Sequence, residues 1–464
     1  MLILFILVYL AVTVGISFYA HTKIQNSGDY INAGRGLPTY INSAAFFALW
    51  FGSETIFGAS SEFVEGGFNA IIEDPFGGVL CLLLVGIFFA RKLYDLNVVT
   101  IVDLFSNRFG RNTELVAALM MVFSFFGYTA AQMVALGLVI SAAFVGFPLE
   151  YAILVGSAVV VFYIFWGGML AVTLNDFVQS IMIVVGLVAI AIAVTDRAGG
   201  IGAIYNSIPD GHLDILPQTD GISITNWIAA WLTLGLGSIV SQDVFQRVNS
   251  SINNSVARKS TLYGAVLYGV FAMLPLYIVT AVKVLDPAIL EGDLQMALPQ
   301  LVVSTMPMIL QILFFGSLIS AILSTCSGAI LAPATIISEN ILPATTDEKK
   351  ILLRTRLAVI VVGIISTALA FGNKNIIVLV GESSAFWLVF IFFPFCAILF
   401  KTGDTKMGIW ISMIAGTTVW VLSSFVFQTE INPMLYGAGA SFIGLIFGYF
   451  FEKIQMKVSL EERT

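Results

Sequence analysis

Long apolar runs dominate this chain and leave few folds open to it. Runs of roughly 20 apolar residues recur about thirteen times, and only short polar segments separate them. Of the 464 residues, 58% are hydrophobic and 11% are charged, whereas soluble domains carry roughly 25% charged residues. Inside a bilayer a segment must satisfy its own backbone hydrogen bonds, which for runs of this length means α-helices. The sequence therefore predicts an all-α membrane protein with about thirteen transmembrane helices.

The expected spans leave no room for a separate soluble domain, because the segments between them are short. The first run has no basic residue before its apolar core and no small-residue cleavage pattern after it, so we expect a helix there rather than a secretory signal. The expected spans are 1–21, 38–64, 73–95, 113–145, 148–166, 171–195, 222–245, 260–284, 304–338, 353–372, 375–400, 407–427 and 433–452.

The distribution of Lys and Arg predicts the orientation, because cytoplasmic loops carry an excess of basic residues. With the N-terminus outside, 18 of the 21 basic residues fall on the inner side, and Arg197, Lys283 and Lys374 fall outside. We therefore expect a multi-pass plasma or inner membrane protein with its N-terminus outside and its C-terminus in the cytoplasm. Its expected surroundings are the lipid bilayer and no nucleic acid, and we expect a monomer. The expected inner residues are Lys23, Arg35, Arg91, Lys92, Arg108, Arg111, Arg247, Arg258, Lys259, Lys349, Lys350, Arg354, Arg356, Lys401, Lys406, Lys453, Lys457 and Arg463.

Three hydroxyl side chains, Ser324, Thr325 and Ser327, lie at the middle of the apolar run 304–338. Hydroxyls gain nothing from facing lipid, so these are expected to point toward protein, water or an ion. Hard cations prefer oxygen ligands, which favours sodium. The same residues also fit a helix whose hydroxyls bond to their own turn or join two helices. From this run alone both interpretations stay open.

The second run, 38–64, is interrupted where a lipid-compatible helix should continue. Such a stretch is expected to unwind, and in secondary transporters broken helices place free carbonyls and half-helix ends around a midplane site. Close helix packing through small residues is the alternative, but it leaves Glu54 and Glu62 unexplained. The interrupting residues are Gly52, Ser53, Glu54, Thr55, Gly58, Ala59, Ser60 and Ser61.

The seventh run is interrupted as well, because Gly235, Gly237 and Ser238 precede a polar stretch at 241–247. If the second span is the first of a set of five, the seventh is the first of the next set, so the two breaks occupy corresponding positions. Paired breaks of this kind indicate a binding site between two repeats, and an odd number of helices per repeat makes the repeats inverted. We expect an N-terminal helix and loop at 1–37, repeats at 38–200 and 201–402, and two further helices with a short tail at 403–464.

Two more spans carry ionisable groups, which are costly in a membrane. The sixth span places Asp176 and Gln179 three residues apart on one helix face, with Asn175 beside them. This polar face fits either an ion exit path or an anchor between helices. Glu382 in the eleventh span fits either a gating role or a solvated position near the outer mouth.

Together these segments resemble the sodium:solute symporter family over nearly the whole chain. The resemblance rests on the broken helix at 50–58, the GG..AV..ND.VQ block at 167–179, and the Ser324–Thr325 pair followed by Ser-Glu-Asn at 338–340. The branch with the high-affinity choline transporters is the most similar one. It shares W.G.....G...E.V at 50–64, DPFG at 74–77, FFA[RK] at 88–91 and FQR at 245–247.

This resemblance implies a five-plus-five inverted-repeat fold like that of the leucine transporter, with one extra N-terminal and two extra C-terminal helices, and transport by alternating access. It implies a sodium ion between the second and ninth spans, and it places Asp176 on the path that releases sodium to the cytoplasm. The implied ligands are the carbonyls of Ala48, Phe51 and Ala321 and the hydroxyls of Ser324 and Thr325.

The solute is less closely defined by the resemblance. Choline carriers surround a quaternary ammonium with aromatic faces. Trp50 is retained here, Tyr128 stands where the family has a tryptophan, and Ser241 stands where another is expected. A choline-like amine and an amino acid such as proline therefore fit equally well. The expected solute-binding residues are Trp50, Glu54, Thr55, Tyr128, Gln132, Ser241, Gln242 and Asp243.

We therefore expect a sodium-coupled symporter that imports a small organic solute, with Na+ as the coupling ion. The alternative is a membrane sensor that binds the same solute without net transport. An enzyme is not expected, because neither His21 nor His212 is surrounded by a nucleophile or a metal-ligand pattern.

Overall fold

The apolar runs of the sequence form α-helices in the computed structural model, which describes residues 2–144, 146–217, 219–372 and 375–461. Apart from one isolated bridge between Leu37 and Ser251, these residues contain no β structure. Lys374 and Arg463, which enter the expected charge distribution, lie outside the described residues, as does the side chain of Lys457. The principal helices are α1 (Leu2–His21), α2 (Thr39–Trp50), α3 (Ala59–Ala70), α4 (Ile72–Asp95), α5 (Arg111–Ala143), α6 (Leu149–Arg197), α7 (Gly221–Gly237), α8 (Gln242–Asn249), α9 (Asn254–Leu285), α10 (Met308–Ile341), α11 (Glu348–Ala370), α12 (Val378–Phe400), α13 (Lys406–Phe427) and α14 (Pro433–Glu461).

Eleven helices within the described ranges are long and apolar enough to cross a membrane. This is two fewer than the sequence predicts, and both differences have a structural reason. The second expected span is divided into the shorter helices α2 and α3. The fifth and sixth expected spans form one helix, α6, which Gly168 interrupts with φ 52° and ψ −154°. A Cβ atom on Gly168 would lie 2.5 Å from the carbonyl oxygen of Tyr30, so this break requires glycine both for its backbone angles and for space.

Helix α10 is the centre of the structure. Every residue from 314 to 336 is buried, so this helix has no lipid-facing side over that length. A helix that is buried on all sides lies in the core of a large protein, and α10 packs against α1, α2, α5, α6, α8 and α11. Its hydroxyl side chains therefore face protein and not acyl chains, as the sequence predicts.

The two interrupted segments meet this central helix. Both α2, which ends at the first break, and α8, which begins after the second, contact α10. Helices α13 and α14 pack mainly against each other. The architecture therefore brings both helix breaks and the hydroxyl cluster to the same region of the core.

Candidate functional site

The first helix break lies at Phe51 and Gly52, inside the stretch that the sequence predicts to unwind. Helix α2 ends at Trp50, Phe51 leaves the helical region with φ −84° and ψ 67°, and a π-helical turn from Glu54 to Gly58 leads into α3. The freed backbone finds local partners, because the carbonyl of Trp50 accepts from the amide of Gly52 at 3.0 Å and from Thr55 Oγ1 at 3.2 Å. The break therefore has hydrogen bonds of its own within the core.

Thr325 of α10 joins this break to the central helix. Its Oγ1 lies 2.9 Å from the carbonyl oxygen of Leu49, 3.2 Å from that of Ala48 and 3.3 Å from that of Ala321. A Cβ atom on Gly52 would lie only 2.7 Å from this Oγ1, so the two segments approach closely because residue 52 has no side chain. Three carbonyl oxygens from two helices thus lie within 3.3 Å of one hydroxyl, and all of these residues are buried.

The remaining expected ion ligands lie beside this point. Phe51 is buried at the break itself. Ser324 directs its hydroxyl to the carboxylate of Asp176 on α6, donating to Oδ1 at 2.5 Å. The structure therefore places Ala48, Ala321 and Thr325 together, with Phe51 next to them and Ser324 turned toward Asp176.

Asp176 forms a fully buried ion pair with Arg247, a partner that the sequence analysis missed. Arg247 Nη2 lies 3.0 Å from Asp176 Oδ2, and neither side chain has exposed surface. Arg247 also donates from Nε to the carbonyl of Ala45 at 3.0 Å and from NH1 to that of Asp243 at 3.3 Å. Arg247, which the charge distribution counts among the inner basic residues, thus points its side chain into the core and links α2, α6 and α8.

A small cavity lies next to the first break. It has a volume of about 20 Å³, which is close to the space that a single water molecule needs. Five of the eight expected solute-binding residues line it, together with Ser238, Ser384 and Trp387. The five are Trp50, Glu54, Tyr128, Ser241 and Asp243.

The other three expected residues occupy different positions around this cavity. The side-chain amide of Gln132 donates a hydrogen bond to Glu54 Oε2 at 2.9 Å. Thr55 lies 2.9 Å from Asp74 Oδ2 and 2.8 Å from the hydroxyl of Tyr268. Gln242 turns away, because its Oε1 accepts from the amide of Ile101 at 2.9 Å.

The second break positions Ser241 and Asp243 in the cavity wall. After α7 and a short 3-10 turn, Ser241 adopts an extended conformation with φ −70° and ψ 137°, and α8 begins at Gln242. The sequence predicts that the helix is interrupted at Gly235, Gly237 and Ser238. The structure shows the interruption a few residues later, at Ser241. Because adjacent residues of a helix point about 100° apart, Asp243 faces the cavity while Gln242 faces the segment around Ile101.

Three aromatic side chains form one wall of the cavity. Trp50 comes from α2, Tyr128 from α5 and Trp387 from α12, and the rings of Tyr128 and Trp387 lie 6.1 Å apart at 70°. Trp387 was missed because an aromatic residue in an apolar run is more often a packing residue. The indole N–H groups of Trp50 and Trp387 are buried and have no hydrogen-bond partner within the described part of the chain. A buried donor without a partner is costly, so both groups are suited to meet an acceptor on a bound molecule.

A second cavity of about 130 Å³ adjoins the first and shares Glu54, Leu234 and Val380 with it. Its lining carries no Lys or Arg, and it includes the carboxyl groups of Glu54, Glu62, Glu73 and Asp74. We call it the acidic vestibule. Its wall includes Gly381, the residue before Glu382. Such an arrangement favours positively charged molecules and disfavours anions.

Comparison with known proteins finds a family match and similar transporters. The profile of the sodium:solute symporter family matches residues 30–416. The human high affinity choline transporter 1 is 26% identical over 94% of this chain and 77% of its own length. The osmoregulated proline transporter OpuE of Bacillus subtilis is 25% identical over 93% of this chain and 90% of its own.

Solved structures show the same fold. A Na+-coupled sialic acid symporter in a substrate-bound, outward-open state aligns with a TM-score of 0.82 and 19% identity over 98% of this chain and 97% of its own. The nucleobase-cation symporter Mhp1 aligns with a TM-score of 0.61 and 15% identity over 91% of this chain and 94% of its own.

The fold and the family match define the class of the protein, which is a multi-pass membrane transporter and not an enzyme. The chain belongs to the sodium:solute symporter family.

The buried ion pair predicts a specific pattern of stability. Arg247→Met alone should lower the free energy of unfolding by about 3–5 kcal/mol, because it leaves the carboxylate of Asp176 buried without its counter-charge. Adding Asp176→Asn should recover most of this loss, since the neutral amide can still accept from Ser324. Thermal unfolding of the purified variants in detergent measures both effects. Losses that simply add in the double variant would contradict the pairing.

Proposed function

We propose that this protein imports a small organic solute that carries a positively charged nitrogen, using the inward sodium gradient. The proposal is supported by one observation above all: a helix break of the second span and the hydroxyl of Thr325 bring oxygens together beside a cavity walled by carboxylates and aromatic rings. Entry of each sodium ion along the membrane potential supplies about 2.3 kcal/mol per charge at 100 mV.

Sodium is proposed to bind at the oxygens around Thr325. The proposed ligands are the carbonyls of Ala48, Phe51 and Ala321 and the hydroxyls of Ser324 and Thr325. Thr325 already contacts carbonyl oxygens from both helices, and oxygen donors of this kind suit a hard cation. Ser324 completes the set by turning from Asp176 to the ion, and Asp176 then stands next to the site as a carboxylate on the release path.

The proposed transport cycle is alternating access between two inverted repeats. Dividing α6 at Gly168 and counting α2 with α3 as one broken span gives thirteen spans from the eleven long helices. Residues 38–200 and 201–402 then form the repeats, with 1–37 and 403–464 outside them. We place the N-terminus outside and the C-terminus in the cytoplasm of the plasma or inner membrane, and we propose that the protein works as a monomer.

The two ligands are proposed to bind cooperatively. Sodium draws α2 and α10 together at the break that also carries Trp50 and Glu54, so it orders one wall of the solute cavity. If sodium raises the affinity for the solute, the solute raises the affinity for sodium by the same factor. In the present conformation the cavity has room for about one water molecule, so solute binding requires it to open toward the acidic vestibule.

The cavity chemistry supports a cation with an acceptor group. Glu54 and Asp243 provide negative charge, and Trp50, Tyr128 and Trp387 provide aromatic faces that attract a positively charged nitrogen. The indole N–H groups of Trp50 and Trp387, which meet no acceptor among the described residues, suit a hydroxyl or carboxylate on the same solute. A choline-like amine has the hydroxyl and an amino acid such as proline has the carboxylate, and relatives of this chain are named for choline and for proline.

A sensor that binds the solute without net transport is the second candidate, because the same site would serve it. Uptake into sealed vesicles separates the two functions. Solute accumulation that depends on a sodium gradient supports the transporter, and saturable binding without accumulation supports the sensor.

Thr325→Ala tests the sodium site. Removing this hydroxyl should weaken apparent sodium affinity about tenfold, the equivalent of roughly 1.4 kcal/mol, and uptake at limiting sodium should fall with it. Thr325→Ser retains the hydroxyl and should stay near the wild type. Sodium titrations of uptake in proteoliposomes measure both.

A matched control for this test is Thr261→Ala. Thr261 is also fully buried, and its hydroxyl bonds at 2.8 Å to the carbonyl of Ala257 in its own helix. Thr261→Ala should leave the sodium dependence of solute uptake unchanged. Unchanged sodium dependence in Thr325→Ala as well would contradict the assignment.

Glu54→Gln and Asp243→Asn test the charge of the solute. Each should reduce uptake of choline, betaine or proline, whichever is transported, by about tenfold, because a hydrogen bond to a charged group is worth about 1.5–3 kcal/mol. Glu65→Gln on the exposed side of α3 is the matched control. A preference for an anionic solute in the wild type, or full uptake in both variants, would contradict the proposal.

A further inference from the structure

A long apolar groove shares no lining residue with the two cavities of the candidate transport site. Its volume is about 720 Å³, and it runs between the first half of α6 and helix α11. Exposed Leu154, Phe162 and Ile364 are among its walls, so it opens toward the hydrocarbon of the membrane. Small residues make it deep, because Ala158 and Ala368 stand where larger side chains would fill it.

The groove offers no polar group to its occupant along its length. Its two hydroxyl side chains are already engaged within the protein: Ser157 bonds to the sulfur of Met133 at 2.9 Å, and Thr367 to the carbonyl of Gly363 at 2.6 Å. An acyl chain meets these requirements, because it fills an elongated apolar space and needs no hydrogen bonds.

Aromatic and basic side chains lie at one end of the groove. Phe165 and Trp166 close it there. The guanidinium carbon of Arg356 lies 5.7 Å from the ring centre of Phe165, and the ring of His21 lies 5.2 Å from that of Trp166. Arg356 and His21 also contact each other, with NH2 and Nδ1 3.1 Å apart. A positive charge therefore stands one helical turn from Ile360 in the groove wall.

Arg356 has no carboxylate partner within the described ranges. It contacts His21, the ring and hydroxyl of Tyr30 and the ring of Phe165. Its Nε is buried and donates to no described atom. Glu348, about two helical turns before Arg356 on α11, is engaged by the amide and hydroxyl of Ser27, at 2.9 Å and 2.5 Å. An arginine in this position is suited to a phosphate, whose oxygens accept from the planar guanidinium.

We propose that this groove binds one anionic phospholipid, with an acyl chain between α6 and α11 and the phosphate at Arg356 and His21. Charge complementarity selects the occupant: a sterol would fill the apolar groove but leave the guanidinium without an anion. The site is separate from the cavity at Glu54, and the inference does not depend on the proposed transport function.

Native mass spectrometry of the purified, delipidated full-length protein tests this inference. Titrations with phosphatidylglycerol, phosphatidylcholine and a sterol compare the bound adducts. The wild type should hold one phosphatidylglycerol about tenfold more tightly than phosphatidylcholine, because the quaternary ammonium of phosphatidylcholine offsets the charge of its own phosphate and is repelled by Arg356. Arg356→Gln should bring phosphatidylglycerol down to the level of phosphatidylcholine.

Two further variants make the test specific. Arg354→Gln on the same helix is the matched control, because Arg354 already donates to the carbonyl of Pro343, and it should retain the preference. The double variant Ala158→Phe with Ala368→Phe fills the groove at two exposed positions, leaves Arg356 intact, and should weaken both phospholipids. Equal binding of the two phospholipids to the wild type, a preference that survives in Arg356→Gln, or tighter binding of the sterol would each overturn the proposal.

Discussion

The contact between the broken second span and Thr325 is the constraint on which the rest of the structure depends. A helix that ends in the middle of a membrane protein exposes carbonyls with no water to satisfy them, and each would cost several kcal/mol in hydrocarbon. Here Thr325 faces the carbonyls of Ala48 and Leu49, and Thr55 bonds back to that of Trp50. The break is therefore tolerated while α10 lies against it, and α1, α5, α6, α8 and α11 cover the other sides of α10.

A second set of interactions connects this contact to helices α6 and α8. Arg247 of α8 bonds to α2 through the carbonyl of Ala45 and to α6 through Asp176, and Asp176 in turn accepts from Ser324. One buried guanidinium therefore connects the segments that carry the two breaks. Such a pair adds little net stability compared with apolar packing, but it fixes which groups face each other. We regard the pair of Arg247 and Asp176 as the interaction that fixes the relative positions of α2, α6, α8 and α10.

Local composition explains which features the sequence could predict. Glycine and carboxylate residues within an apolar run indicated the break at Gly52, and the hydroxyls of α10 could only face inward. The boundary expected between the fifth and sixth spans, between residues 166 and 171, contains Gly168, where α6 is interrupted. Each of these signals lies within one segment of the chain, where hydrophobicity and helix propensity act directly.

Features that depend on the packing of distant segments could not be predicted in this way. The pairing of Arg247 with Asp176 joins residues 71 positions apart, and a basic residue at the end of an apolar run is equally typical of a membrane surface. The position of Trp387 in the cavity wall, and the hydrogen bond that the Tyr268 hydroxyl donates to the carboxylate of Asp74, depend on which helices pack together. Gln242 and Asp243 are neighbours in the sequence, and only the start of α8 decides which of them reaches the cavity.

Sodium binding to Gly52→Ala tests the central claim most directly. The added methyl group would lie 2.7 Å from Thr325 Oγ1 and 2.8 Å from Glu54 Oε2, so it must separate α2 from α10 at the ion site. In thermal-shift titrations of purified protein, with potassium keeping ionic strength constant, the wild type should be stabilised by sodium and Gly52→Ala should not. Gly202→Ala, where no atom lies within 4 Å of the new methyl group, should respond like the wild type. Equal sodium stabilisation of Gly52→Ala would contradict the account.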